Sequence, residues 1–100
     1  MLSKWIQFTV EPAMSGEFQL ELQQLEAAST LELGCVYYAA FQDESKAEVF
    51  TVLESWADNA AFVAHREAPH TVHFKAVCGA MILEKSARPL KPLSPVLTPV

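Results

Sequence analysis

Residues 3–10 alternate, with Trp5, Gln7 and Thr9 on one side and Ile6, Phe8 and Val10 on the other, which predicts a strand with one strongly apolar face. Glu11-Pro12 ends it. Met14, Phe18, Leu22 and Leu25 then recur at helical spacing, while Glu21, Gln23, Gln24 and Glu26 occupy the remaining surface. This stripe predicts an amphipathic helix packed on a sheet, with Ser15 as its cap and Glu17 in its first turn. Gly34 breaks the pattern. Residues 35–41 are rich in β-formers, residues 42–46 make a polar turn, and residues 49–56 complete a hairpin. Asp58 suits the N-cap of a short helix through Arg66, and Pro69 ends that helix near Ala68 because the residue before a proline avoids helical geometry. Pro69 itself opens a further helix reaching about Met81, and residues 82–88 form a last strand.

The order β-α-β-β-α-β, with the second helix broken in two, is the α+β ferredoxin-like plan: a four-stranded antiparallel sheet with helices on one face. The other face is left bare. Val, Tyr, Phe and Ile side chains on both faces of the strands make that exposure costly, so two sheets packed face to face in a homodimer are expected. Residues 1–88 make up this domain. Beyond it, Pro89, Pro92 and Pro95 recur every third residue alongside Leu90, Leu93 and Val96, the repeat of a polyproline II segment. Residues 89–100 therefore read as an extended arm with one apolar edge, lying on its own subunit or on a partner.

At 100 residues and 51% hydrophobic content the chain is one domain with enough apolar surface for a core. The net charge is −5, and the seven Lys and Arg residues are scattered without a basic stripe, which argues against nucleic acid as a partner. No window approaches the roughly 18 apolar residues of a membrane span. The N-terminus shows neither the apolar run nor the cleavage site of a signal peptide, so a cytoplasmic location is expected. Cys35 and Cys78 form no CxxC pair and read as free thiols, Cys35 as a small buried hydrophobe.

Chemistry concentrates between residues 54 and 73. His65, His70 and His73 are the chain's only histidines. Zinc-binding helices favour i,i+4 pairs; His65 and His70 straddle the helix break and fall on different faces, whereas His70 and His73 could converge. No cysteine or carboxylate stands at ligand spacing, so no metal site is expected. His65, at the end of its helix, is a candidate proton acceptor, or else merely stabilises the helix C-terminus. His70 is either a second such group or a polar fixture of the helix–helix junction, and His73 reads as a surface residue. Glu54 sits on the apolar face of its strand with Phe50, Val52 and Trp56, where a carboxylate costs free energy unless paired and its pKa rises. Glu54 and Trp56 could line a pocket for a flat substrate, or form ordinary packing and a salt bridge. Tyr37 and Tyr38 point to opposite faces, one toward the pocket and one toward the subunit interface, and the sequence leaves open which is which.

Leu53-Glu54-Ser55-Trp56, followed by Asp58, Phe62, His65 and Pro69-His70, with Gly34-Cys35-Val36-Tyr37-Tyr38 upstream, resembles the antibiotic biosynthesis monooxygenase family over residues 5–85. The resemblance implies a dimeric α/β barrel. It also implies oxidation of phenolic or polyketide aromatics by molecular oxygen with no metal, flavin or other cofactor, through a deprotonated substrate that passes an electron to oxygen. The polyketide-tailoring branch has an asparagine four residues before the strand tryptophan and a tyrosine six after it; Val52 and Phe62 stand there in this chain. The haem-degrading branch requires an asparagine near the first strand, and Asn59 is the only asparagine here. The remaining pattern is similar to the quinol-oxidising and autoinducer-processing members. Arg66, Lys75 and Arg88 show no clustering in sequence, which favours a small aromatic or quinol over a phosphorylated carbonyl compound. The expectation is thus a cofactor-independent monooxygenase with His65 as proton acceptor, Glu54 or His70 orienting it, and Trp56, Phe62 and a tyrosine forming the pocket. An isomerase using the same histidines is the alternative, and a non-catalytic small-molecule-binding dimer is the third reading.

Overall fold

The computed structural model describes residues 1–94. Its elements are β1 (Leu2–Val10), α1 (Ser15–Ser29), β2 (Cys35–Gln42), β3 (Val49–Trp56), α2 (Asn59–Glu67), α3 (Pro69–Cys78) and β4 (Ile82–Leu90), with short 3-10 turns at Pro12–Met14 and Gly79–Met81. The strands form one antiparallel sheet in the order β2-β3-β1-β4, the expected ferredoxin-like arrangement.

Alternation decides what each strand buries. Along β3, Phe50, Val52, Glu54 and Trp56 are buried, and the residues between them are half-buried. Register places Phe8 opposite Phe50, Ile6 opposite Val52 and Lys4 opposite Glu54, so one sheet face passes from aromatic core at one end to charged groups at the other. Helix α1 closes the aromatic end with its stripe of Phe18, Leu22 and Leu25. Phe18 sits among Phe8, Phe50 and Phe74, with ring centroids 5.5, 4.9 and 5.5 Å away in tilted and edge-on geometries. Such arrangements suit the ring quadrupole better than face-to-face stacking. Glu26 ties α1 to the sheet edge by accepting the Ala40 backbone N–H at 2.7 Å.

Ser15 does not cap α1, contrary to expectation. The turn begun by Pro12 runs directly into the helix, so Met14 occupies the cap position and Ser15 is already helical, its Oγ donating to the Pro12 carbonyl at 2.8 Å. Met14 is consequently exposed. Asp58 does cap α2, accepting the Ala61 N–H at 2.8 Å. The chain breaks at Ala68, in extended geometry, with Pro69 opening α3. Helix α3 ends at Cys78 rather than Met81, because its last residues tighten into a 3-10 turn.

The C-terminal boundary also differs. Strand β4 continues through Pro89 and Leu90, which pair with Lys4 and Ser3. A proline is tolerated there because β4 is an edge strand. The expected arm therefore begins inside the sheet, and its Pro95 and Val96 lie outside the described residues. The second sheet face carries Trp5, Leu53, Tyr37, Phe41 and Leu90, the last three 44%, 49% and 45% exposed. No helix among the described residues is long and apolar enough to cross a membrane.

Candidate active site

Three separate chain segments meet at one carboxylate. Glu32 lies in the turn between α1 and β2, held by backbone hydrogen bonds from its own N–H to Ser29 and from the Cys35 N–H to its carbonyl, both 3.1 Å. Gly34 closes this turn with φ +85°, a conformation that disfavours any residue with a Cβ. A Cβ at Gly34 would also stand 2.6 Å from the Ala61 side chain, so the glycine lets the turn lie directly against α2. Glu32 is thereby brought to His65 in the last turn of α2 and to His70 in the first turn of α3. Its Oε2 lies 2.6 Å from His65 Nδ1 and 2.9 Å from His70 Nε2.

Hydrogen-bond chemistry then fixes the protons. A carboxylate can only accept, so both of these ring nitrogens donate to it. His65 is left with Nε2 for the cavity that it lines. Trp56, wholly buried, stacks on the His65 ring with centroids 4.4 Å apart and planes 28° off parallel. An imidazole held by a carboxylate on one nitrogen and an indole on one face is an oriented proton acceptor.

The cavity measures about 370 Å³. Ile6, Phe8, Leu25, Phe62, Phe74 and Ile82 form its apolar wall; Tyr38, Glu54, His65 and Thr71 supply polar groups. Glu54 is 4% exposed. Burial pushes its carboxyl above the ordinary range, against the opposing pull of His65, the Trp56 indole, Lys4 and Lys85. The Trp56 N–H is close enough to favour the carboxylate yet reaches no acceptor in good geometry, so it remains unpaired among the described residues. Burial first, and Glu54 second, raise the Tyr38 phenol far above its usual range, so it stays a neutral donor.

Of the residues singled out in the sequence, His65, Glu54, Phe62 and Tyr38 line the cavity. Trp56 does not; it backs the His65 ring. Tyr37 lies on the opposite sheet face, exposed. His70 is also outside the cavity, sharing Glu32. The expectation that His65 and His70 diverge is corrected: the break at Ala68 turns α3 so that both reach one oxygen. His70 and His73 do not converge, since His73 pairs with Glu21 at 3.2 Å on the surface. Cys35 is half-buried against the core, and desolvation pushes its thiol up to about 11, which keeps it protonated. Glu32 itself was missed, lying 33 residues from His65 in a turn whose flanking Leu31 and Leu33 are exposed and carry no periodic signal.

The basic residues are a second correction. Lys4, Arg66, Lys75 and Lys85 all border the cavity, while Arg88 lies on the other face over Trp5. Their clustering depends on strand register and helix docking, which sequence spacing does not display.

Glu32, His65 and His70 also place one ligand atom each within 4.8 Å, and these are donor types suited to a divalent cation. Zinc bonds of about 2.0–2.1 Å at tetrahedral angles hold ligand atoms about 3.3 Å apart. The nitrogen–oxygen contacts here, 2.6 and 2.9 Å, have instead the length of direct charge-assisted hydrogen bonds.

Residues 1–77 match the antibiotic biosynthesis monooxygenase family. A relative in Bacillus subtilis (strain 168), named "Putative monooxygenase YcnE", is 36% identical over 67 residues, which are 67% of this chain and 70% of that protein. The structure of PA3566 from Pseudomonas aeruginosa superposes with a TM-score of 0.87 at 28% identity, covering 93% of this chain and 94% of that one. The structure of a "Putative antibiotic biosynthesis monooxygenase" from Bacteroides thetaiotaomicron VPI-5482 gives 0.92 at 24% identity, covering 99% and 95%, a likeness of fold. With the match running from β1 through the helix break at Ala68 and taking in Glu32, His65 and His70, the chain belongs to the antibiotic biosynthesis monooxygenase family.

Proposed function

We propose that this protein oxidises a small hydroxylated aromatic with molecular oxygen, using its own side chains and no cofactor, and that His65 is the proton acceptor. The observation that carries this reading is the Glu32–His65 pair opening on an apolar cavity, with the Nδ1 proton committed to Glu32 at 2.6 Å. A substrate hydroxyl gives its proton to His65 Nε2, and Glu32 stabilises the imidazolium that forms. The resulting phenolate, held against Phe62 and Phe74, transfers an electron to oxygen. For a 1,4-hydroquinone the balance is one quinol and one O2 to one hydroxyquinone and one water. Glu54, with its raised proton affinity, and the neutral Tyr38 phenol supply a proton and a hydrogen bond to the reduced oxygen species.

The working unit is a homodimer. Trp5, Leu53, Phe41 and Leu90 leave an apolar sheet face that a second copy would cover, closing the barrel that is common in the family. The cationic lining favours a second reading, enolisation of an anionic carbonyl compound by the same His65. Oxygen uptake by the metal-free protein against hydroquinones, with His65→Ala alongside, separates the two. Uptake that the variant loses supports oxidation. Absence of uptake, with His65-dependent solvent-deuterium exchange into a carbonyl substrate, supports enolisation instead.

A further inference from the structure

The charge around the cavity is opposite to that of the chain. The protein carries twelve carboxylates and seven Lys and Arg residues, yet one carboxylate, Glu54, and four of the cations, Lys4, Arg66, Lys75 and Lys85, border this one space. Among the described residues, ion pairs form between histidines and Glu32 or Glu21, and none engages these four cations. Lys4 faces Glu54 across the β1–β3 register but does not close to a salt bridge. Lys4 Nζ stands instead over the Phe62 ring, 4.2 Å from its centroid, and the Arg66 guanidinium approaches the same ring at 5.7 Å. Two like charges gathered on one aromatic ring repel each other across a partly apolar space, where screening is weaker than in open water. An anion bound beside Phe62 offsets that repulsion and can take charge-assisted hydrogen bonds from the ammonium and the guanidinium.

From this we infer that the cavity selects an anionic substrate, a hydroxylated aromatic ring bearing a carboxylate, with Lys4 and Arg66 holding the acid group beside Phe62. The ring then lies along the apolar wall and its hydroxyl reaches His65 from within the cavity. Cations over Phe62 and Phe8, where Lys85 Nζ lies 5.8 Å from the centroid, make both aromatic walls electropositive rims around an apolar floor. A neutral quinol uses the floor and leaves the rim unsatisfied. The inference rests on the cavity being the substrate site and is independent of which reaction follows.

The test compares 2,5-dihydroxybenzoate with 2,5-dihydroxybenzamide, which share ring and hydroxyls and differ in charge, by calorimetric titration of the full chain. The acid is expected to bind on the order of tenfold or more tighter, the scale of one hydrogen bond to a charged group. That preference should shrink in Lys4→Met and in Arg66→Met and survive in Lys46→Met, which removes a cation from the β2–β3 turn; circular dichroism and melting confirm that each variant is folded. Equal binding of acid and amide overturns the inference, as does a preference untouched by both cavity variants. No binding of either compound at millimolar concentration overturns it as well. Phenyl phosphate binding more tightly than the acid overturns the carboxylate and assigns the rim to phosphate esters. Acid binding without oxygen uptake retires the oxidation and leaves the anion preference standing. Uptake that is equally efficient with neutral hydroquinone does the reverse.

Discussion

Replacing Glu32 by Gln isolates the oriented histidine. The carboxylate accepts two N–H groups, at 2.6 and 2.9 Å, with its side chain 14% exposed and those of His65 and His70 6% and 27% exposed. A hydrogen bond to a charged group contributes about 1.5–3 kcal/mol when shielded, and the more exposed His70 bond belongs at or below the bottom of that range. Glutamine keeps one acceptor, so the net loss is about 2 kcal/mol, or a fall in melting temperature of roughly 8–16 °C for a domain of this size. The chemical consequence is larger. The neutral amide no longer stabilises the imidazolium that forms on His65, and where its N–H turns toward Nδ1 the His65 proton moves onto Nε2; turnover should fall on the order of 10²- to 10⁴-fold. Oxygen uptake measured well below the melting point separates this from unfolding, and imidazole ¹⁵N shifts report the tautomer directly. A variant that melts early yet turns over within twofold of the parent, with the His65 tautomer unchanged, would refute the role given to Glu32 and leave it a structural residue.

Three further outcomes are expected. Glu54 has its carboxyl raised above the ordinary 4.5 by burial, so the folded chain holds that proton more tightly than the unfolded chain. Its favourable contribution is complete below the unfolded value and is lost as pH rises through the folded one. Glu54→Gln should therefore raise the melting temperature more at pH 8 than at pH 4 while lowering turnover; a destabilised variant at pH 8 would contradict the assignment. Gly34→Ala combines positive-φ strain with a 2.6 Å approach to Ala61, and about 2–4 kcal/mol of stability should be lost in denaturant titration. Trp5→Glu on the open sheet face should convert a dimer into a monomer in light scattering, and a wild-type chain that already runs as a monomer would end the barrel proposal.

The fold was legible where side-chain period and backbone restriction agreed. Phe50, Val52, Glu54 and Trp56 alternate cleanly, and Pro69 ends one helix at the residue before it and suits the first turn of the next, so β3 and the α2–α3 break follow from local rules. Ser15 misled because Pro12 starts a turn that absorbs the cap position. The Pro89 repeat misled because three-residue spacing says nothing of an edge-strand partner. At the site, His65 and Glu54 were visible as polar residues on apolar elements. Glu32 was not, since its role depends on a glycine turn packing against a helix far along the chain. The cation cluster likewise exists only once Lys4 on β1, Arg66 on α2, Lys75 on α3 and Lys85 on β4 share one rim.

The Gly34 turn has a consequence for how activity fails. Glu32 reaches both histidines through a connection only a few residues long that rests against Ala61 without spare room. A short surface connection is expected to open at lower cost than the central sheet, and any opening of this one would unlatch His65 and His70 together. Heating, mild denaturant or a bulky residue near Ala61 should thus abolish the proposed turnover while the sheet remains intact. Amide exchange across residues 30–35 would then track loss of function ahead of the global melt.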